Sequence, residues 1–261
     1  MGLTPRALSD DEAAELYDVL NTWGDFPADR FYDGLVESAQ DVLDVGCGTG
    51  GMLHHARERG HRGRLVGLDP DRAALARARR RTDVEWWEGT AAALRSEAEF
   101  DLVTMTGHAF QCLTTDEDLR CSLSAIGRAL RPGGEFAFET RHPQAKAWED
   151  WTPANQVTVS RPRPLRLWHE VESVVGDVVT FTETSADPEG AVLRVDRAAL
   201  RFLGPEELDA FVAAAGFAVE ERFGDWERGP LTEQSREIVT IASAVRQPQG
   251  RAAQAAPGPK P

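Results

Sequence analysis

The stretch DVLDVGCGTGG, at residues 41–51, decides the fold. Its first five residues form a short apolar run typical of a buried strand, and a helical pattern follows the glycines. Glycines at such a junction permit a tight turn and let the backbone approach a ligand at the N-terminus of the next helix. Asp69 ends the second predicted strand, where a carboxylate can accept hydrogen bonds from both hydroxyls of a ribose.

Strands and helices alternate from residue 41 onward. The predicted strands are 41–45, 64–69, 84–87, 100–105 and 135–139, followed by two closing strands at 217–223 and 238–244. The motif RPGG at 131–134 is interpreted as a turn that closes the helix at 115–130. This alternation predicts parallel βαβ units with right-handed crossovers, and therefore an α/β fold.

The spacing of apolar residues changes after the fifth predicted strand. Residues 165–175, 178–185 and 192–202 alternate apolar and polar side chains and are separated by turn signals, which predicts an antiparallel meander. We therefore divide the chain into four parts. They are an N-terminal helical lid (1–40), a core (41–143 and 204–245), a β cap over the acceptor (144–203) and a disordered tail rich in Pro, Gly, Ala and Gln (246–261).

The amino-acid composition argues against several kinds of binding partner. The 261 residues carry a formal net charge of −14, which disfavours nucleic acid as a partner, and no run of 18 apolar residues is present to span a membrane. Three cysteines without CxxC spacing disfavour disulfides and a thiolate zinc site, and no other metal-ligand spacing is convincing. We expect a cytoplasmic protein, monomeric or homodimeric, without a metal.

Two ligands fit the glycine loop. Gly46, Gly48 and Gly51 satisfy the GxGxxG pattern of dinucleotide-binding proteins. Asp44, however, lies two residues before the first glycine, where it can anchor the loop and approach an ammonium group. That position favours the amino-acid end of S-adenosylmethionine (SAM) over a pyrophosphate. An NAD(P)-dependent oxidoreductase is the alternative enzyme, and a non-catalytic SAM-binding protein is a third hypothesis.

The sequence resembles the class I SAM-dependent methyltransferases, of the type that acts on small molecules. The matching pieces follow the family's order over about residues 40–245. They are VLDVGCGTG (42–50), VGLDPD (66–71), WWEGTAA (86–92), FDLVTMTGHAFQ (100–111), LRPGGEFAFET (130–140) and EIVTIA (237–242). The resemblance implies a Rossmann-like sheet of seven strands, mostly parallel with an antiparallel last strand, and a small antiparallel cap inserted after strand five.

The resemblance also implies a set of cofactor-binding residues. Those expected to line the methionine portion of SAM are Asp44, Gly46, Cys47, Gly48 and Gly50, with Cys47 mainly filling space. Those expected at the ribose and adenine are Asp69, Pro70, Gly89, Thr90 and Ala91, with Thr106 at the mouth of the site. Many family members carry Asp where Thr90 stands, so here a hydroxyl or the backbone must bind the adenine amino group. Tyr17 and Trp23 are expected to cover SAM as part of the lid, where aromatic faces can stabilise a sulfonium.

The expected reaction moves a methyl group from SAM to a small-molecule acceptor, at nitrogen or oxygen ahead of carbon, in a pathway such as secondary metabolism. His108 and His142 follow strands four and five and are the candidate general bases, since imidazole titrates near neutral pH. Methyl transfer can also proceed by positioning alone, because the sulfonium is already activated.

Overall fold

The chain folds around two sheets that differ in strand direction. A computed structural model describes residues 6–245, so the predicted disordered tail at 246–261 lies outside the described residues. The helices are α1 (Asp10–Leu20), α2 (Pro27–Ser38), α3 (Gly51–Glu58), α4 (Arg72–Ala78), α5 (Asp116–Ala129) and α6 (Pro205–Ala214). The strands are β1 (Asp41–Val45), β2 (Arg64–Asp69), β3 (Glu85–Glu88), β4 (Phe100–Met105), β5 (Leu130–Arg141), β6 (Val157–Val159), β7 (Leu165–Val175), β8 (Val178–Ala186), β9 (Val192–Arg201), β10 (Phe217–Phe223) and β11 (Glu237–Ala244).

The larger sheet has seven strands in the order β10-β11-β5-β4-β1-β2-β3. Strands β1 to β5 pair in parallel, whereas β11 runs antiparallel to both of its neighbours, β5 and β10. No helix separates β10 from β11, so the chain returns through a loop, and such a return gives an antiparallel pair. The predicted Rossmann-like sheet with its antiparallel last strand is confirmed.

Helices cover both faces of this sheet because successive strand residues point to opposite sides. Val42 of β1 packs in a cluster with residues of α2 and α3, whereas Leu43 packs in a separate cluster with residues of α5 and α6. Both side chains are fully buried. A sheet buried on both faces is rigid, so the loops at its edge are held in fixed positions.

The carboxyl ends of the parallel strands form one edge of the sheet, as expected for an open α/β fold. The glycine loop, Asp69 and the residues after β4 and β5 all lie along this edge. Because β11 is antiparallel, its first residue, Glu237, joins the same edge and pairs with Arg141 at the end of β5. The strand order therefore brings a residue near the end of the chain to the predicted site.

The smaller sheet is antiparallel, with the order β6-β7-β8-β9. It shares a small apolar core with the N-terminal segment, in which Leu8 and Leu16 pack against residues of β7 and β9. Helix α1 also contacts α4 of the core: the Nε of Arg77 in α4 lies 2.8 Å from Oδ2 of Asp18 in α1. The first helix therefore lies between the small sheet and the core.

Two details differ from the sequence prediction. The predicted meander has three strands, but β6 adds a fourth by pairing with β7; a three-residue strand is too short to show a periodic pattern. The RPGG motif was predicted as a turn before the fifth strand, but it lies inside β5. There the pairing steps from Phe100–Leu130 to Leu102–Glu135, so residues 131–134 bulge out of the ladder.

Candidate active site

The glycine loop between β1 and α3 forms a cradle of backbone in which only Cys47 and Thr49 carry side chains. Gly46, Gly48 and Gly50 have φ values of +78°, +54° and +84°, a region that favours glycine. A Cβ atom on Gly46 would lie 2.7 Å from Ala109 Cβ, so the loop lies directly against the segment after β4. The Gly46 N–H also donates to the Leu68 carbonyl at 2.7 Å, which fixes the loop on β2.

Asp69 joins the loop to the end of β2. Its Oδ2 accepts a hydrogen bond from the Gly48 N–H at 2.7 Å, and its Oδ1 accepts one from the Asp71 N–H at 2.7 Å. Burial raises the pKa of this carboxyl, while the two backbone donors act in the opposite direction. Each carboxylate oxygen can accept a second hydrogen bond. Asp69 is thus fixed in orientation and able to bind a diol.

Asp44 is the second buried carboxyl at this edge, with 1% of its surface exposed. The Thr104 hydroxyl of β4 donates to its Oδ1 at 2.8 Å, and Oδ2 receives no hydrogen bond from residues 6–245. Burial raises the pKa of Asp44 to about 7, and the negative charges of Asp69 and Glu139 contribute to the increase. A cationic ligand group at Oδ2 would lower that pKa.

Of the residues expected at the adenine, Gly89, Thr90 and Ala91 follow β3, whereas Pro70 follows β2. Gly89 donates its N–H to the Asp69 carbonyl at 3.0 Å, which places this turn beside Asp69. Ala91 is buried, whereas Pro70 and Thr90 are exposed. The Thr90 hydroxyl makes no capping hydrogen bond to the short helical turn that it precedes. It is therefore available as a polar contact.

Tyr17 of α1 lies over the cradle. A Cβ atom on Gly48 would lie 3.7 Å from Tyr17 Cε1, and one on Gly107 would lie 3.7 Å from Tyr17 Oη. Partial removal from water raises the pKa of this phenol, and Asp44 and Asp69 add to the shift. The ring thus bridges the loops after β1 and β4, where it can face a bound ligand.

Trp23 and Cys47 are directed away from the cradle. The Trp23 indole N–H donates to Asp33 Oδ1 at 3.0 Å, and its ring packs against the α2–α3 side of the core. The Cys47 side chain packs with Leu75 and Ala78 of α4. Any contact that Cys47 makes with a cofactor must use its backbone, in line with its interpretation as a space-filling residue.

His108 follows Thr106, which is half-buried after β4, and takes the left-handed conformation with φ of +63°. Its backbone N–H donates to Glu139 Oε1 at 2.7 Å. Its Nε2 lies 2.9 Å from Glu237 Oε2 at the start of β11. The side chain is thus one half of a histidine–carboxylate pair, an arrangement that orients the ring.

His142 is 4% exposed, and its ring is engaged in a hydrogen bond with the protein backbone. Its Nδ1 accepts a hydrogen bond from the Gln144 N–H at 3.2 Å, and burial lowers its pKa. A neutral ring with Nδ1 as acceptor carries its proton on Nε2, so neither nitrogen is ready to take a proton. The geometry favours His108 over His142 as a base.

The sequence analysis did not identify the acidic residues around His108. Glu139 of β5 is 1% exposed and accepts hydrogen bonds from the Tyr32 hydroxyl and from His108. Burial raises its pKa, and the charge of Glu237 adds to the shift. The available signal was a carboxylate within the apolar strand FAFET, because a buried acid requires partners.

A family model described as a methyltransferase domain matches residues 42–134. The cypemycin N-terminal methyltransferase of a Streptomyces species is 31% identical over 254 residues, covering 92% of this chain and 98% of that protein. The chain belongs to the class I SAM-dependent methyltransferases. SAM is therefore the cofactor of this methyltransferase, in place of the dinucleotide that the glycine pattern alone also allowed.

Two further relatives extend the comparison. The dTDP-3-amino-3,4,6-trideoxy-alpha-D-glucopyranose N,N-dimethyltransferase of Streptomyces venezuelae is 27% identical, covering 70% of this methyltransferase and 77% of that protein. The structure of the CcbJ methyltransferase from Streptomyces caelestis superposes with a TM-score of 0.74 at 21% identity, covering 93% and 100% of the two chains. That structural likeness includes the segment with the small sheet. No helix within residues 6–245 is long and apolar enough to cross a membrane.

Proposed function

We propose that this methyltransferase transfers the methyl group of SAM to an amine nitrogen of a small natural-product acceptor. The observation that carries the proposal is the His108–Glu237 pair, with 2.9 Å between nitrogen and oxygen, directly after the strand beside the glycine loop. An amine is protonated near neutral pH and must lose its proton before its lone pair can attack. The names of two relatives, an N-terminal methyltransferase and an N,N-dimethyltransferase of an amino sugar, support nitrogen over oxygen.

The residues of the cradle fit the cofactor in shape and charge. The glycine loop presents bare backbone at Gly48, where a Cβ would meet only Tyr17 Cε1 at 3.7 Å, and Asp69 offers two fixed acceptors for the ribose hydroxyls. The second oxygen of Asp44 can bind the cationic amino group of SAM. When bound, SAM supplies a methyl group that its sulfonium has already activated for transfer. We place the adenine beside Pro70, Gly89, Thr90 and Ala91.

His108 would accept the proton from the acceptor amine. In its neutral form the ring donates Nε2–H to Glu237, which leaves the lone pair of Nδ1 without a partner among residues 6–245. Protonation at Nδ1 then gives an imidazolium that the Glu237 carboxylate stabilises. Glu139 holds the backbone of His108 in its left-handed conformation and acts as a positioning residue.

The test uses matched acceptors and measures release of S-adenosylhomocysteine. Amino compounds and their hydroxyl analogues on the same scaffold should differ, with transfer confined to the amines. His108→Asn keeps a residue that tolerates positive φ but removes the base, and it should lower kcat by about a hundredfold or more with SAM affinity unchanged. His55→Asn is the matched control, since His55 pairs with Asp33 at 3.3 Å and lies on α3. Transfer to hydroxyls alone, or a fully active His108→Asn, would contradict the proposal.

A further inference from the structure

Arg141 ends β5 at the same edge as His108. Its Nη1 donates to Gln111 Oε1 at 3.2 Å, and its guanidinium carbon lies 5.7 Å from the centre of the Trp151 ring. Gln111 belongs to the short helical turn after His108, whereas Trp151 belongs to the segment that leads into the small sheet. The guanidinium therefore lies between the core and the cap.

This guanidinium has no ionic partner in the described part of the chain. No carboxylate of residues 6–245 lies within 4.0 Å of it, whereas Arg77 and Arg201 each pair with at least two acids. Burial lowers the pKa of Arg141, and the charges of Glu237 and Glu139 oppose that shift. Arg141 is half-buried, so its guanidinium has lost part of its hydration without gaining a direct ionic partner, and an anionic ligand would supply one.

The side chain of Arg141 is fixed by neutral contacts. Gln111 is 1% exposed, and its Nε2 donates to the Arg201 carbonyl at 2.9 Å, so its Oε1 is turned towards Arg141. The Trp151 ring supports the guanidinium from the cap side. Nε and Nη2 of Arg141 donate no hydrogen bond to residues 6–245. These two nitrogens can therefore donate a pair of parallel hydrogen bonds, the geometry with which a guanidinium binds carboxylates and phosphates.

Two relations place Arg141 beside the reacting centre. In the β5–β11 ladder it lies opposite Glu237, the partner of His108. The pKa of Cys112, raised first by withdrawal from water, is also raised by Asp69 and lowered by Arg141, so the thiol lies within the electrostatic reach of both. Arg141 therefore lies at the same edge of the large sheet as His108 and Asp69.

We propose that Arg141 binds an anionic group, a carboxylate or a phosphate, on the methyl acceptor and so directs the acceptor amine to His108. The inference rests on the proposed function and names the class of substrate: an amine that also carries an anion. The chain has a net charge of −14, so an anionic acceptor needs a fixed local cation to enter the cleft. A single oriented guanidinium meets that need.

The binding test uses acetate and inorganic phosphate as separate probes, titrated at constant ionic strength into the protein saturated with S-adenosylhomocysteine. Arg141→Gln should weaken binding of the preferred probe by about tenfold to a hundredfold, and Arg141→Lys should weaken it less. Arg128→Gln on α5, whose guanidinium contacts Ser124, is the control and should bind like the wild type. Unchanged S-adenosylhomocysteine affinity shows that each variant is folded. Preference for acetate or for phosphate identifies the anion.

Transfer assays separate this inference from the proposed function. Amino acids and their amides, and amino sugars with and without a phosphate, provide acceptors that differ by one anion. The wild type should prefer the anionic member, and Arg141→Gln should abolish the preference mainly through KM. If no amine is methylated yet Arg141→Gln loses anion binding, the proposed function fails and the anion site stands. If neither probe binds the wild type, or both bind Arg141→Gln equally well, the inference is overturned.

Discussion

At the residue scale, the two buried carboxyls at the carboxyl ends of β1 and β2 differ in their partners. Asp69 accepts two backbone N–H bonds, which stabilise its charge and fix its orientation. Burial raises the pKa of Asp44 to about 7 and two nearby acids add to the increase, against the one hydrogen bond that Asp44 accepts from a hydroxyl. Asp69 is therefore held in one orientation by the backbone, whereas Asp44 can change charge when a cation arrives.

Binding of SAM is expected to release a proton from Asp44. A cationic amino group beside the carboxylate lowers its pKa, so a group that is about half protonated near pH 7 becomes ionised in the complex. Calorimetry in buffers of different ionisation enthalpy should detect about half a proton released near pH 7, and affinity should increase as the pH rises through 7. Asp44→Asn should bind more weakly and without proton release. Equal enthalpies in all buffers would contradict this assignment.

The same pKa predicts a pH dependence of folding. The pKa of Asp44 is higher in the folded chain than in the unfolded chain, so the folded state binds more protons between about pH 4 and 7. The contribution of this group to stability must therefore fall as the pH rises through that window. Asp44→Asn should flatten this part of the stability curve of the ligand-free protein, as measured by urea unfolding.

Replacing Asp69 tests the ribose contact. Asp69→Ala removes both acceptors, and we expect the free energy of SAM binding to weaken by about 1.5–3 kcal/mol, the range for charged hydrogen bonds. Asp83→Ala, at an exposed carboxylate that pairs with Arg81, is the control and should bind normally. An unchanged Kd in a folded Asp69→Ala protein, measured by calorimetry, would show that the cofactor lies elsewhere.

At the scale of elements, most strands could be predicted from the sequence, whereas most contacts around His108 could not. The glycine loop and Asp69 are close along a single βαβ unit, so their pairing follows from the local pattern. His108 and Glu237 are 129 positions apart. Their contact depends on the strand order and on the antiparallel direction of β11, and hydrophobic periodicity specifies neither.

The glycine loop offers a matched test of backbone and ligand effects. Ala at Gly48 would adopt a φ of +54° and Ala at Gly133 one of +81°, so each should lose about 1 kcal/mol of stability. A Cβ on Gly133 meets no atom within 4 Å, whereas one on Gly48 points towards Tyr17 across the cradle. Gly48→Ala should weaken SAM binding at least about tenfold and Gly133→Ala should not. Equal affinities would place the ligand away from Gly48.

The first helix provides a test of its attachment to the small sheet. Leu16 is 3% exposed and packs with Leu165, Leu167 and Leu193, whereas Val19 of the same helix is 38% exposed. Leu16→Ala should lower the free energy of unfolding by about 2–3 kcal/mol and accelerate hydrogen exchange in α1 and β7. Val19→Ala should change neither by a comparable amount. Faster exchange confined to α1 would mean that the helix does not support the sheet.

At the scale of the whole molecule, the glycine loop, the first helix and the small sheet form a continuous chain of contacts. Tyr17 lies beside the glycine loop, its neighbour Leu16 lies in the core of the small sheet, and Arg77 fastens the same helix to α4. Lid and cap, which the sequence suggested as separate parts, therefore share an apolar core. We propose that the lid and the cap respond together when the cofactor binds.

Binding of S-adenosylhomocysteine should accordingly slow hydrogen exchange beyond the cofactor loop. We expect protection at residues 46–51, in α1 and at the start of β7, because these three segments are linked through Tyr17 and Leu16. We expect none in α6 or in β10, the outermost strand of the large sheet on the far side from β3. Hydrogen exchange with mass spectrometry measures each segment. In Leu16→Ala the loop should stay protected while β7 loses its protection. Protection limited to the loop in the wild type, or retained in β7 of the variant, would show that the lid and the cap respond independently.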